Sequence, residues 1–186
     1  MERRHFLKAA AWAGALFQAG CRSLPFGPVL EPAGQPGFRA PALERVRVGV
    51  IGLGHRGPAA VNRLSRIPGV EVVALSDLYE DRVARQAKTL VEQGRPAPKT
   101  YFGSKDEWRR LCEAPGLDLV YICTPWLWHA PMAVYAMRCG KHAATEVPAA
   151  VTVEQCWELV RTAEATRRHC MMLENCCYGE NELFAL

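Results

Sequence analysis

Three glycines in the run Gly52-Leu53-Gly54-His55-Arg56-Gly57 stand directly behind the apolar stretch Arg47-Val48-Gly49-Val50-Ile51 and directly ahead of a helical pattern that starts near Pro58. A glycine-rich turn is common by itself; placed between strand and helix it has a defined chemistry. Gly52 permits the tight turn, Gly54 lets the backbone approach a pyrophosphate, and Gly57 lets helix and strand pack closely, with the helix N-terminus facing the phosphates. Asp77 follows twenty residues after Gly57, at the end of the next apolar run. A carboxylate there accepts hydrogen bonds from both ribose hydroxyls. Strand, turn, helix and acid in this register predict a bound dinucleotide. The carboxylate repels the extra phosphate of NADP, which favours NAD. Arg56 is the competing signal, because an arginine in this loop can meet a 2′-phosphate instead.

Two further segments leave strand C-termini, where open α/β sheets bind ligands. They are Thr124-Pro125-Trp126-Leu127-Trp128-His129 and Glu146-Val147-Pro148. Taken singly, Trp126 and Trp128 read as packing residues and His129 as a helix-start histidine. Beside a cofactor crevice, a binding role has equal standing. Of the eight cysteines, Cys123, Cys139, Cys156 and Cys170 lie inside apolar strand or helix patterns. They are expected as buried free thiols packing as small hydrophobes, not as a disulfide framework. Cys176-Cys177, with His169 and Cys170 upstream, have no Cys-x-x-Cys spacing, so no metal site is predicted.

Positioning these groups requires an α/β fold. Strand candidates at 46–51, 70–76, 100–102, 119–123, 142–145 and 170–173 alternate with amphipathic segments near 58–65, 80–93, 105–112, 129–139 and 153–167. That alternation predicts a doubly wound parallel sheet, a Rossmann domain over residues 45–178. A chain of 186 residues holds one such domain and not a second of full size. Residues 22–44 carry Pro25, Pro28, Pro32, Pro36 and Pro41 with Gly27, Gly34 and Gly37. This composition forms neither helix nor interior strand and reads as a tether.

The net charge of +4 is concentrated at the start: residues 1–45 hold six basic and three acidic side chains, the remainder 17 and 16. No clustered basic face remains to track a nucleic-acid backbone, so a nucleic-acid partner is excluded. Residues 1–21 form an export signal, with Arg3-Arg4-His5-Phe6-Leu7-Lys8, a short apolar run and then Gly20-Cys21. The twin arginine resembles the signal of the translocation route that carries proteins already folded around a cofactor. Ala19-Gly20-Cys21 also resembles a lipoprotein processing site, although Gln18 stands where an aliphatic residue is usual. Lipidation of Cys21, giving a membrane tether, and plain cleavage nearby remain alternatives. The expected location is the periplasm or cell envelope.

On these residues the chain resembles the Gfo/Idh/MocA oxidoreductase superfamily, and within it glycoside hydrolase family 109, the NAD-dependent α-N-acetylgalactosaminidases. The likeness runs from about Arg45 to Tyr178. It rests on Val48-Gly49-Val50-Ile51-Gly52-Leu53-Gly54-His55-Arg56-Gly57-Pro58, Asp118-Leu119-Val120-Tyr121-Ile122, Val134-Tyr135-Ala136-Met137, Glu146-Val147-Pro148-Ala149-Ala150 and Cys170-Met171-Met172-Leu173-Glu174-Asn175-Cys176. It implies NAD contacts at His55 and Arg56, at Asp77, along Trp126, Leu127, Trp128 and His129, at Glu146 with Val147, and at Asn175. Glu146 and Tyr178 become pocket-lining candidates for the catalytic side. Most dehydrogenases of the superfamily carry a proton-transferring lysine between the glutamate and the proline. Val147 occupies that position here, and a short apolar side chain neither donates nor accepts a proton.

The glycosidase chemistry of the family suits this change. A ring hydroxyl is oxidised to a ketone, the neighbouring C–H is acidified, the glycoside is eliminated, water adds and the hydride returns, with no net redox change. The family's second domain, which supplies the sugar site, is expected after the last strand. Residues 179–186 instead depart from the family pattern, so the chain reads as a truncated or frameshifted copy, inactive alone. A sugar would then be a partner only together with a second domain, and the crevice lined by Trp126, Trp128 and Tyr178, open to water, would favour association into a homo-oligomer. Two alternatives stand beside this reading: a sugar dehydrogenase of the same superfamily with another proton relay, and a non-catalytic NAD-binding module.

Overall fold

Six short strands, too short for helices and mostly apolar apart from the Lys-Thr-Tyr of the third, pair side by side in the computed structural model, which describes residues 38–174. They are β1 (Val46–Ile51), β2 (Val70–Ser76), β3 (Lys99–Tyr101), β4 (Leu119–Ile122), β5 (His142–Glu146) and β6 (Cys170–Leu173). Five helices alternate with them: α1 (Gly57–Leu64), α2 (Glu80–Glu92), α3 (Glu107–Glu113), α4 (His129–Arg138) and α5 (Val153–Thr166), with a 3₁₀ turn at Trp126–Trp128. The export signal, Cys21, most of the tether, Asn175, Cys176, Cys177, Tyr178 and residues 179–186 lie outside the described residues.

All strand pairs are parallel, in the order β3-β2-β1-β4-β5-β6. The doubly wound sheet expected from the alternation is therefore the one observed. After β1 the chain first builds outward through β2 and β3, then returns to the other side of β1 with β4. This reversal splays the connections at the C-terminal ends of β1 and β4, and the gap between them is where such sheets bind ligands.

The core lies on both faces of the sheet, because alternate residues of each strand point to opposite sides. Val48 and Val50 of β1 pack with Leu75, Val61, Val83 and Leu90 beneath α1 and α2. Ile51 and Ile122 pack with Leu111, Ala133 and Met137 beneath α3 and α4. Gly49 is small for a reason of packing: a Cβ there would lie 2.8 Å from the Leu111 side chain. Helix α5 starts at Thr152, whose hydroxyl accepts the Gln155 N–H at 3.2 Å, while the Gln155 side chain accepts the Val151 N–H at 2.9 Å. Such reciprocal capping satisfies donors that the first turn cannot.

Several expectations shift. β3 begins at Lys99, one residue earlier than read, since Lys99 pairs with Ala74. β5 extends to Glu146, which pairs with Leu173 and so belongs to the ladder. Phe38 already packs on the fold, its ring 4.8 Å from that of His169 and under the Arg167 guanidinium, although residues 38–45 form no helix or strand. The cysteines do not share one environment: Cys112 is buried, Cys123, Cys139 and Cys170 are half-buried, and Cys156 is exposed. Helix α5 buries Leu159 and Thr162, so its first turns stand clear of the sheet and carry Cys156 into water with Val153 and Trp157. Among the described residues no helix is long and apolar enough to cross a membrane.

Candidate functional site

The loop between β1 and α1 uses its glycines in three ways. Gly52 has φ +89°, and a Cβ on it would lie 2.7 Å from the Cys123 carbonyl oxygen. Gly57 faces the loop's own backbone, where a Cβ would stand 2.0 Å from the Gly52 oxygen. Gly54 differs: a Cβ there would meet only Arg82 Nη1, at 3.4 Å. The protein demands the first and third glycines for itself, whereas the second keeps space open. No side chain caps the start of α1. Its first-turn N–H groups are thus left for an anion, as a pyrophosphate would provide.

A cavity of about 570 Å³ opens beside this loop, bordered by Gly52, Gly54, His55, Arg56 and, at the end of β2, Asp77. Asp77 is buried, with Oδ2 accepting the Leu53 N–H at 2.6 Å and Oδ1 accepting the Tyr79 N–H at 3.0 Å. The carboxylate thereby pins the glycine loop to the end of β2 and retains acceptor capacity toward the cavity. The arginine beside it is Arg82, with Nη1 3.6 Å from Asp77 Oδ1 and its guanidinium 4.4 Å above the Tyr79 ring. Arg56 has its Nε 3.6 Å from Oε2 of Glu146. The sequence pointed to Arg56 as the 2′-phosphate candidate; the residue at that corner is Arg82, brought there by the first turn of α2.

Beyond Asp77 the cavity is bordered by Ser104, Lys105, Trp108, Trp128 and Met132. Of these only Trp128 was singled out from the sequence; Ser104, Lys105, Trp108 and Met132 were not. Trp108 is 5% exposed and its indole Nε1 has no hydrogen-bond partner. Its ring meets Trp128 edge-on at 6.5 Å. Only the return of α3 and α4 to the same face of the sheet brings these residues together.

The second predicted segment forms a smaller cavity of about 160 Å³ with Arg56, Trp126, His129, Glu146 and Val147. Glu146 is buried and its Oε1 accepts the Tyr121 hydroxyl at 2.9 Å. Burial and this hydrogen bond push the Tyr121 hydroxyl up to about 12. Burial, followed by the charge of Glu146, pushes the Cys123 thiol up to about 12 as well, so it is not a nucleophile at neutral pH. His129 is 1% exposed, with Nδ1 2.7 Å from the Pro148 carbonyl oxygen and Nε2 2.7 Å from that of Thr124. Its ring joins the two cavity-forming segments through their backbones. Trp126, read singly as a packing residue, is 63% exposed and borders the smaller cavity, and Trp128 is 44% exposed; Leu127 is 70% exposed. Leu127 borders neither cavity. Among the described residues no group of three or more His, Cys, Asp or Glu could hold a metal ion.

A family model described as an oxidoreductase family with an NAD-binding Rossmann fold, Gfo/Idh/MocA, matches residues 46–174. The chain is 55% identical over 146 residues to a glycosyl hydrolase family 109 protein of Porphyromonas gingivalis, covering 78% of this chain and 31% of that relative. It is 55% identical over 150 residues to an alpha-N-acetylgalactosaminidase of Bacteroides fragilis, covering 81% of this chain and 35% of the relative. The chain thus spans about a third of the length of the curated relatives it matches. Among solved structures, an NAD binding oxidoreductase from Klebsiella pneumoniae superposes with TM-score 0.63 at 28% identity, over 76% of this chain and 37% of the other. Scyllo-inositol dehydrogenase from Lactobacillus casei, with bound NAD(H) and scyllo-inositol, superposes with TM-score 0.66 at 16% identity, over 76% of this chain and 39% of the other. The latter likeness is one of fold.

Proposed function

This chain belongs to the Gfo/Idh/MocA oxidoreductase family, and from that premise we propose that its NAD-binding Rossmann domain serves a glycosidase of family-109 type, hydrolysing α-N-acetylgalactosaminides through transient oxidation of the sugar. One observation carries the reading. At the end of β5 a buried carboxylate, Glu146, is followed by apolar Val147 on the border of the smaller cavity. Val147 moves no proton, so net alcohol dehydrogenation through a lysine at that position has no agent here. The 55% identity to a relative named alpha-N-acetylgalactosaminidase supports the same direction.

The residues present fit the cofactor. The space kept at Gly54 and the uncapped start of α1 accept the pyrophosphate. Asp77 accepts from the ribose hydroxyls, and the end of the cleft at Trp108 and Trp128 takes the adenine. Bound NAD supplies a hydride acceptor that returns what it takes, leaving no net redox change. Glu146 and the rim at Trp126 face the reacting end. On this reading the sugar is held by residues of the longer relatives outside the aligned third. The proposal extends to location: delivery by the twin-arginine route to the periplasm or cell envelope, with Cys21 either lipidated or removed.

The test is release of the phenol from an aryl α-N-acetylgalactosaminide by NAD-loaded protein. The 186-residue chain is expected to show no turnover alone, and fusion to the remaining two-thirds of a family-109 relative to produce it. Sustained turnover by the chain alone would overturn the need for a second part. Net NADH formation by the fusion without phenol release would make it a sugar dehydrogenase.

A further inference from the structure

We propose that Tyr121 is a positioning residue for the cofactor, holding Glu146 so that Glu146 in turn holds Arg56 of the glycine loop. The inference rests on the NAD site and not on the sugar chemistry proposed above. Tyr121 and Glu146 lie on neighbouring strands and on the same face of the sheet, since Tyr121 pairs with Ala144, two residues before Glu146. Both are buried, at 9% and 7% exposed. A carboxylate withdrawn from water at such a place requires donors. Its two oxygens are divided: Oε1 accepts the Tyr121 hydroxyl at 2.9 Å, and Oε2 stands 3.6 Å from Arg56 Nε.

One end of this relay is buried in the core and the other is half-exposed. The Tyr121 ring is part of the core cluster that contains Val48, Val50 and Leu75. Its hydroxyl, pushed up to about 12, remains a donor throughout the neutral range. Arg56 is half-exposed on a glycine loop and borders both the larger and the smaller cavity. A long, half-exposed side chain has many rotamers of similar energy, and ordering it costs entropy. The sheet offsets that cost in advance through Tyr121 and Glu146, so that Arg56 is already placed between the phosphate and nicotinamide ends of the cleft. Without the hydroxyl, Oε1 loses this donor and the hold of Glu146 on Arg56 slackens. The adenosine end, built on Asp77 and Trp108, is untouched.

Calorimetric titration of the 186-residue chain with NAD and with AMP, which lacks the second phosphate and the nicotinamide riboside, separates these roles. Tyr121→Phe is expected to weaken NAD binding about five- to tenfold while AMP affinity stays within about twofold. Glu146→Gln should show the same selectivity, and the double variant should be no weaker than the weaker single, because both act through one path. Equal losses for NAD and AMP would mean a merely structural role and overturn the proposal, as would additive losses or unchanged NAD binding in Tyr121→Phe. If Tyr121→Phe folds poorly by thermal unfolding, adding Arg56→Ala to Glu146→Gln decides: no further loss of NAD affinity supports the single path, and an additive loss overturns it. Failure of the unmodified chain to bind either ligand would overturn the cofactor site itself, a different result from any of these.

Discussion

The two edges of the sheet carry similar charged residues and use them differently. At the N-terminal edge, Asp118 accepts from the Arg47 backbone N–H at 2.8 Å, from its Nε at 3.0 Å and from its Nη2 at 2.9 Å, tying β4 to β1. A cavity of about 360 Å³ lies at that edge too, but Arg45 and Glu71 on its border pair with each other at 3.2 Å. At the C-terminal edge, Asp77 and Glu146 are more deeply buried, yet their arginines stand at 3.6 Å and each carboxylate borders a cavity. Charges close on one another where they hold the fold and keep spare acceptor capacity where a ligand is to come. Cavity volume does not separate the two edges; the state of the partners does.

The largest expected effect tests that contrast at the glycine loop. Gly54→Val places atoms in space the protein does not use, so NAD affinity should fall at least about 100-fold while Tm moves little. Gly57→Ala, with a Cβ 2.0 Å from the Gly52 oxygen, should lose both binding and stability. Calorimetry with thermal unfolding reads the pair, and unchanged NAD binding in Gly54→Val would remove the phosphate assignment.

Next in size is Asp77→Ala, which should weaken NAD about tenfold or more and narrow the gap to NADP, since Arg82 then faces a 2′-phosphate without its carboxylate. Because Asp77 also anchors Leu53 and Tyr79, the ratio of the two affinities is the informative quantity. An unmodified chain that binds NADP as tightly as NAD would contradict the ribose role.

Asp118→Asn probes the opposite edge and should cost about 1 kcal/mol, a few degrees of Tm, with no change in NAD affinity. Arg47, through its side-chain hydrogen bond, holds the Asp118 carboxyl below its ordinary value. A depressed folded pKa contributes stability above the unfolded value of about 3.9, lost as pH falls through the lower folded value. The Tm difference between parent and variant should therefore be full at neutral pH and disappear as pH falls through the lowered folded value. A difference that persisted there would mean the pair is not the source. Smallest of all, among the described cysteines Cys156 should react first with a thiol reagent and Cys112 last, and Cys156→Ser should leave Tm and NAD binding unchanged.

The strands were legible because runs such as β1 and β2 are rich in aliphatic residues and end at turn residues, Gly52 after the first and Gly69 and Asp77 around the second, a pattern that depends only on near neighbours. The glycine loop and Asp77 were legible for the same reason, since their geometry follows from one strand, one turn and one helix in succession. Arg82 lies in the first turn of the helix after Asp77, whereas Arg56 lies in the glycine motif itself and carries the stronger local signal. Which arginine meets which carboxylate depends on how α2 lies across the end of β2, and no local pattern contains that angle.

The local order of strand, turn, helix and acid, together with the identity of the cofactor it suits, was determined by the sequence alone, because backbone sterics and side-chain alternation act over a few residues. Tertiary structure alone decided the pairing of Tyr121 with Glu146, the spending of both His129 nitrogens on carbonyls 5 and 19 residues away, the joining of Trp108 to Trp128, and the exposure of Cys156. Those outcomes are set by strand order and by how far each helix overhangs the sheet, which are properties of the packed chain and leave no periodic trace in the residues themselves.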